Sequence, residues 1–267
     1  MSFVLIDTPR PHIALVTLNR PDRMNAMAFD VMIPLREALE DVSADNDIRV
    51  VVLTGAGQGF CSGADLQSAG KVPNVEGLTV TSVARRSMDL LNDVMITLRR
   101  MNQPVIGAIN GAAIGGGFCL SVATDIRIAA EEAYFRAAGI NNGLTSTELG
   151  ISYLLPRAIG ASRAFEIMLS GRDVDAAEAE RIGLVSRTVP AAKLLETCYD
   201  LADRIISFSR VGTELTKRML WSGMEAGGFE SHMQHEGMAQ LYVRLTTDNF
   251  DEAIRARRDR RPPVYDD

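Results

Sequence analysis

Residues 104–125, PVIGAINGAAIGGGFCLSVATD, decide how the rest of the chain is read. The stretch opens as a strand: Val105, Ile106 and Ile109 form a β-branched run behind Pro104, which suits a strand's first position. It closes as a helix. Between the two, Gly111 and the triplet Gly115-Gly116-Gly117 allow backbone to approach backbone, or a ligand, where a Cβ would collide. A helix that starts inside such a triplet points free N–H groups, and the positive end of its dipole, at whatever lies in front of it. Two readings of the glycines therefore stand side by side: tight strand-to-helix packing, and a site for developing negative charge. About 20 uncharged residues could also span a bilayer. Five glycines, Asn110, Ser121 and Thr124 dilute this run, however, and a strand and helix buried in a globular core account for it better.

Working outward, 267 residues make room for one large domain or a domain with an appendage. A composition of 46% hydrophobic and 23% charged residues excludes disorder, collagen and disulfide scaffolds. The net charge of −6 argues against nucleic acid as a partner, since neutralising phosphates needs basic excess; the run Arg255–Arg261 is a local exception. Cys61, Cys119 and Cys198 are too few and too scattered for a disulfide framework or a CxxC metal site, so a reducing cytoplasm is expected. No basic segment followed by a long apolar one opens the sequence, and neither a signal peptide nor a membrane span is expected.

Ile13–Leu18 reads as a strand running into a turn at residues 19–23. Phe29, Met32, Leu35, Leu39 and Val42 recur at helical spacing, with Pro34 set to kink or delay the first turns and Asp45-Asn46-Asp47 ending the helix. Val50–Leu53 is a continuous apolar run, the mark of a strand covered on both faces, and residues 55–66, GAGQGFCSGADL, form a second glycine-rich exit from a strand. They match neither the dinucleotide nor the P-loop pattern. Residues 67–81 lack a period and predict a surface loop beside the site. Val83, Ser87, Leu90, Leu91, Val94 and Leu98 define an amphipathic helix feeding the strand at Pro104. Strands at 125–128 and 133–135 then repeat a strand, strand, helix order, which predicts a coil of ββα turns rather than a flat doubly wound sheet. Residues 139–150, GINNGLTSTELG, read as a loop opening into a helix, with Thr145 or Ser146 as cap and Glu148 near the first turn. From Ser162 onward the chain reads as helices at 164–169, 176–182, 193–206, 211–221, 232–245 and 250–260, interrupted by a strand-like 184–189.

Several chemical signals are weak alone. His232 and His235 stand three apart on a helix without a matching ligand cluster. Cys61-Ser62-Gly63 lacks a nucleophile elbow, and the arginines at 255–261 are ordinary for a helix end, though they could grip a phosphate. The combination says more: two glycine-rich turns, each after a buried strand, can supply two N–H donors to one oxygen, with an acid facing the same region.

Asn19-Arg20-Pro21 with Asn25-Ala26, residues 60–66 (FCSGADL), residues 110–117 (NGAAIGGG) and Ala123-Thr124-Asp125 resemble, in order and spacing, successive motifs of the crotonase superfamily, the enoyl-CoA hydratase/isomerase family. The resemblance covers Val4 to Tyr265. It implies an α/β fold, a ββα-spiral core over residues 1–195, and a C-terminal helical trimerisation region over 196–267, assembled as a homo-trimer or as a hexamer of two stacked trimers. It implies an acyl-CoA thioester substrate, in which coenzyme A enters with the substrate and no separate cofactor or metal is needed. By the same resemblance the N–H groups of Ala64 and Gly116 form an oxyanion hole. Arg23, Met24 and Ala26, with Ala64, Asp65 and Leu66, line the coenzyme A path, and Arg260 reaches coenzyme A from a neighbouring subunit.

The departures carry further information. Hydratases of the family use two glutamates, and the corresponding positions here are Cys119 and Gly139; a thiol with a pKa of about 8.5 and a glycine replace neither. Glu148, in TELGISYLLP, instead resembles the single acid of the family's enoyl-CoA and dienoyl-CoA isomerases, where dehalogenases of the superfamily carry a nucleophilic aspartate. Isomerisation of an enoyl-CoA with Glu148 as general acid/base is thus the expected activity. Hydration by an atypical arrangement and a non-catalytic acyl-CoA-binding protein are the alternatives, and fatty-acid degradation is the default pathway for the family.

Overall fold

A computed structural model describes residues 2–267. Val4–Arg10 (β1) and Ile13–Leu18 (β2) form an antiparallel pair, and a helix at Phe29–Ala44 (α1) follows. Pro34 is absorbed inside α1, where its missing N–H falls opposite Asp30 of the first turn. Val50–Gly55 (β3), Gly59–Cys61 (β4) and Val80–Arg100 (α2) make the first ββα turn. Val105–Ile109 (β5), Ala112–Ile114 (β6) and Gly116–Ala123 (α3) make the second, and Ile126–Ala130 (β7), Tyr134–Arg136 (β8) and Ile151–Ile159 (α4) the third. Each turn gives its first strand to one sheet and its second strand to another. Ala161–Ser170 (α5), Asp173–Asp175 (β9), Ala176–Arg181 (α6), Arg187–Val189 (β10) and Leu194–Ile206 (α7) complete the core.

The result is a six-stranded sheet in the order β1-β2-β3-β5-β7-β10 and a four-stranded sheet in the order β4-β6-β8-β9. Within the larger sheet β2, β3, β5, β7 and β10 run parallel, with Val52 opposite Ile106 and Ala108 opposite Ile128. Parallel strands need helical crossovers, and these cover both faces, which is why the strands read as unbroken apolar runs. Val51 and Leu53 face the main core with Phe60, Phe118 and Phe135, while Val50 and Val52 face Leu194, Cys198, Tyr199 and Ala202 of α7. The sequence boundary at 195/196 therefore falls inside α7, a core helix clamped to the sheet. The chain leaves the core after Ile206.

Beyond that point Arg210–Glu225 (α8), Phe229–Thr246 (α9) and Asn249–Asp259 (α10) form a helical arm. Among the polar contacts that tie it to the core, one is a buried clasp. Asp125, at the end of α3, accepts from the Val105 backbone N (2.7 Å), Trp221 Nε1 (2.6 Å) and Lys217 Nζ (2.9 Å). Lys217 is buried and also donates to the carbonyls of Leu98 (3.0 Å) and Gln103 (2.9 Å); desolvation lowers its pKa, and the charge and hydrogen bond of Asp125 work against that shift. In contrast α9 buries none of its residues within the single chain, and Phe229, Met238 and Leu245 are exposed. No helix among the described residues is long and apolar enough to cross a membrane.

Removing one partner of a buried ion pair leaves a charge without compensation, a loss of about 3–5 kcal/mol. Asp125→Ala is therefore expected to lower the denaturant midpoint by that amount of free energy with an unchanged m-value, measured by urea unfolding followed by circular dichroism.

Candidate active site

The site is built where two glycine turns meet. Gly115 has φ +52° and ψ −120°, a conformation closed to residues with a Cβ, and its N–H donates to Arg136 O (2.8 Å). The helix α3 begins at the next residue. Its first intrahelical bond runs from Cys119 N to Gly115 O (3.0 Å), so the Gly116 N–H has no acceptor within the helix. Gly63, at φ +81°, makes the facing turn, and a Cβ there would lie 2.5 Å from Ile114 O and 3.2 Å from Gly116 N. A short parallel bridge fixes this turn through Met27 N to Gly63 O (2.7 Å) and Asp65 N to Met27 O (2.9 Å). Those two bonds skip Ala64, whose N–H stays out of the bridge on an exposed residue. Gly117 is there for packing, since a Cβ would overlap the Cys61 carbonyl oxygen and sit 2.7 Å from its carbon.

Glu148 stands beside this pair of turns, with Oε1 3.6 Å from where a Cβ of Gly115 would be. It does not lie in the first turn of a helix as expected from the sequence. Leu149 (φ +47°) and Gly150 (φ +83°) are left-handed, α4 starts only at Ile151, and Gly150 is the N-cap. Neither Thr145 nor Ser146 caps that helix; Ser146 Oγ donates to Ala137 O (3.1 Å) and accepts from Ile140 N (3.2 Å), tying the loop to itself. The Glu148 carbonyl accepts from Ile151 N (3.0 Å) and from the Cys119 thiol (3.6 Å). The carboxyl is partly buried and, among the described residues, has no ion-pair partner. Desolvation raises its pKa above the ordinary 4.5.

The two positions that correspond to hydratase glutamates offer no second acid. Cys119 is buried, and desolvation followed by the nearby Glu148 charge pushes its thiol well above the usual range. At Gly139 the space is already taken: a Cβ would overlap the Thr145 carbonyl oxygen and lie 2.8 Å from its carbon. The Gly139 carbonyl itself accepts from Asn142 N (3.1 Å) and Leu144 N (2.9 Å), which folds the loop across this position.

The residues expected along a coenzyme A path form one continuous edge. Arg23 ends a short 3-10 turn and hydrogen-bonds the Gln67 side chain, Met24 O accepts from Ser62 N (2.9 Å), Ala26 is buried, and Leu66 is exposed. Asp65 differs from a ligand-facing acid. Its buried Oδ1 accepts from Gln67 N and Ser68 N (2.9 Å each), which holds its pKa below the ordinary range, while Oδ2 lies 2.9 Å from Arg20 Nη1 in an ion pair. What Asp65 leaves open to a ligand is backbone. Asn25, fully buried at φ +56°, staples the edge together: its Oδ1 accepts from Arg20 N (2.9 Å) and its Nδ2 donates to Ala56 O (2.9 Å) and Gly59 O (2.8 Å). The sequence marks Asn25 as a motif residue without revealing this role. Arg260 lies elsewhere, at the exposed C-cap of α10, and among the described residues shares no hydrogen bond or ion pair with this edge.

The enoyl-CoA hydratase/isomerase family profile matches residues 10–267. The chain belongs to the enoyl-CoA hydratase/isomerase family. It is accordingly an acyl-CoA enzyme with the crotonase fold. It is 66% identical over 267 residues to a probable enoyl-CoA hydratase of Mycobacterium bovis, covering 100% of this chain and 94% of that one. Among solved structures, a probable enoyl-CoA hydratase/isomerase from Mycobacterium abscessus superposes with a TM-score of 0.95 at 66% identity, with 99% of each chain covered. A protein from M. smegmatis described as a monofunctional enoyl-CoA isomerase matches with a TM-score of 0.75 at 62% identity, covering 88% of this chain and 99% of its own. Relatives of this chain thus carry both activities in their names.

Burial pushes the thiols of Cys61 and Cys198 up to about 12 and raises that of Cys119 as well. All three cysteines are expected to resist iodoacetamide in the native protein at neutral pH and to react together after unfolding, as counted by intact-mass spectrometry.

Proposed function

We propose that this enzyme shifts the double bond of a 3-enoyl-CoA to the 2-position, with Glu148 as the single general acid/base. The observation that carries the reading is a lone desolvated carboxyl beside two unbonded backbone N–H groups, while backbone fills the place of a second carboxylate at Gly139. Glu148 takes a proton from C2, next to the thioester. The electron pair moves into the carbonyl, giving a dienolate whose oxyanion accepts from the N–H groups of Ala64 and Gly116. The proton then returns from Glu148 to C4, and the double bond ends between C2 and C3. The sequence is redox-neutral and needs no group beyond the coenzyme A that the substrate carries. Oxyanion donors of this kind are worth roughly 2.7–4 kcal/mol each. A base with a raised pKa is better matched to the proton it must both take and return.

In this reading Arg23, Met24, Ala26, Ala64, Asp65 and Leu66 line the coenzyme A path, Asp65 through its backbone. Arg260, remote within one chain, serves a neighbouring subunit in a trimer or hexamer. The exposed apolar residues of α9 support such an assembly. Hydration is the second reading, favoured by the name of the M. bovis relative. It requires Glu148 alone to orient a water molecule.

Glu148→Gln is expected to lower kcat on a 3-enoyl-CoA by about 10²–10⁴-fold while retaining the Kd for a saturated acyl-CoA. Conversion of the 3-enoyl compound at unchanged mass supports isomerisation; water addition at a comparable rate to a 2-enoyl-CoA would replace it with hydration. The pH dependence has a definite sign. The base must be ionised, so kcat/KM is expected to fall as pH drops through an apparent pKa above 4.5, displaced upward from an ordinary glutamate. Stability shows the same shift from the other side. A carboxyl whose folded pKa is raised favours folding below its unfolded pKa and loses that contribution as pH rises through the folded one. Glu148→Gln should therefore raise Tm at neutral pH, with the gain shrinking as pH falls through the raised folded pKa and gone below 4.5, measured by scanning calorimetry.

A further inference from the structure

The two backbone turns of the site lie beyond the strands that lead into them. The β4–β6 ladder ends at Cys61 opposite Ala113, and Ala64 and Gly116 each follow three residues later, outside it. One residue grips both segments. The Met27 backbone straddles Ala64, donating to Gly63 O (2.7 Å) and accepting from Asp65 N (2.9 Å). The Met27 side chain, buried in the main core, reaches the start of α3, where its Sδ fills the space that a Cβ on Gly116 would take and its Cε lies 3.4 Å from that point. A thioether suits this position. It is flexible enough to fill an irregular gap against backbone. As a weak acceptor it also leaves the neighbouring Gly116 N–H uncommitted, where a hydroxyl or amide oxygen would compete for that donor.

We infer that Met27 is the positioning residue of the oxyanion hole, setting the separation and the aim of the Ala64 and Gly116 N–H groups through its backbone at one and its sulfur at the other. This rests on the oxyanion reading of those two groups above. Donors stabilise an oxyanion only if they point at the place where the charge develops, and a displacement of about 1 Å costs on the order of 10²-fold in rate. Met27 acts through the two backbones rather than on the reacting atoms. Its bridge to residues 63–65 is made by main-chain groups, so shortening the side chain leaves that bridge in place and frees only the Gly116 end. Truncation at Met27 therefore disturbs one donor and spares the other.

The test reads the thioester carbonyl itself, so that it does not depend on which reaction Glu148 performs. Hexanoyl-CoA carrying a heavy carbon isotope at the carbonyl is bound to the full-length protein, and its carbonyl stretch is followed by isotope-edited infrared difference spectroscopy. The native protein should lower that frequency relative to free hexanoyl-CoA. Met27→Ala should lose about half of the lowering, one donor of two. Its kcat, on the enoyl-CoA that the native enzyme turns over, should fall by about 10²-fold with little change in the Kd for hexanoyl-CoA. Met27→Leu, which refills the volume against Gly116, should bring both readouts back toward native values. If Met27→Ala fails to fold, Met27→Val, which keeps the side chain only as far as Cγ, is read in the same way. A merely structural role would lower Tm in the truncated variant and leave the bound carbonyl frequency at its native value, and that result overturns the inference. Absence of any lowering in the native protein would instead remove the oxyanion hole, and the role of Met27 with it.

Discussion

The fold and the site both hang on the approach of the Gly117 segment to the Cys61 carbonyl, which leaves no room for a Cβ. This contact lets α3 start directly against the turn at Gly63, so that successive coils of the spiral stack at backbone distance. A side chain at Gly117 would have to displace that carbonyl and so force α3 away from β4. In the reading proposed above, the oxyanion donors therefore need no functional side chain. They are a by-product of how tightly the chain is wound, with Ala64 after the Gly63 turn in a bridge to Met27 and Gly116 at the start of α3.

Placed beside those donors, Glu148 works against its surroundings. Its partial burial without a cation favours the neutral form, whereas Asp65, a short way along the same edge, is held ionised by two backbone N–H groups and the charge of Arg20. Two carboxyls in neighbouring turns are thus tuned in opposite directions by solvation and hydrogen bonding alone. One is free to exchange a proton, and the other is a fixed strut that shapes the loop after it.

Much of the fold was legible in the sequence because apolar periodicity reports burial: β2, β3, β5 and the helices from α5 to α10 fall where their spacing places them, within a few residues at the ends. The ββα coil was legible from order alone. The three-residue strands β4, β6 and β9 carry too little pattern to be seen, and exist because the spiral supplies partners for them. The 139–150 loop misled for a definite reason. Capping chemistry is read from Thr, Ser and Glu, but the left-handed backbone at Leu149 and Gly150 postpones the helix, and no side chain announces that. Asp65 and Asn25 were visible as motif residues, yet their partners are backbone groups distant in sequence. The position 195/196 lies within α7, since a helix that covers a sheet and one that leaves it share the same amphipathic signature and the sequence does not separate them.

Gly139 decides what could be built into this site. Where a position merely lacks a side chain, one substitution can fill the hole. Here the Thr145 carbonyl occupies the space a Cβ would take, and the Asn142 and Leu144 N–H groups hold the loop around it. A glutamate introduced at 139 would have to displace backbone, while position 119 already carries a side chain that can be exchanged. The two positions are therefore unequal as targets for redesign: one is a substitution away, and the other lies behind a loop that would first have to be refolded.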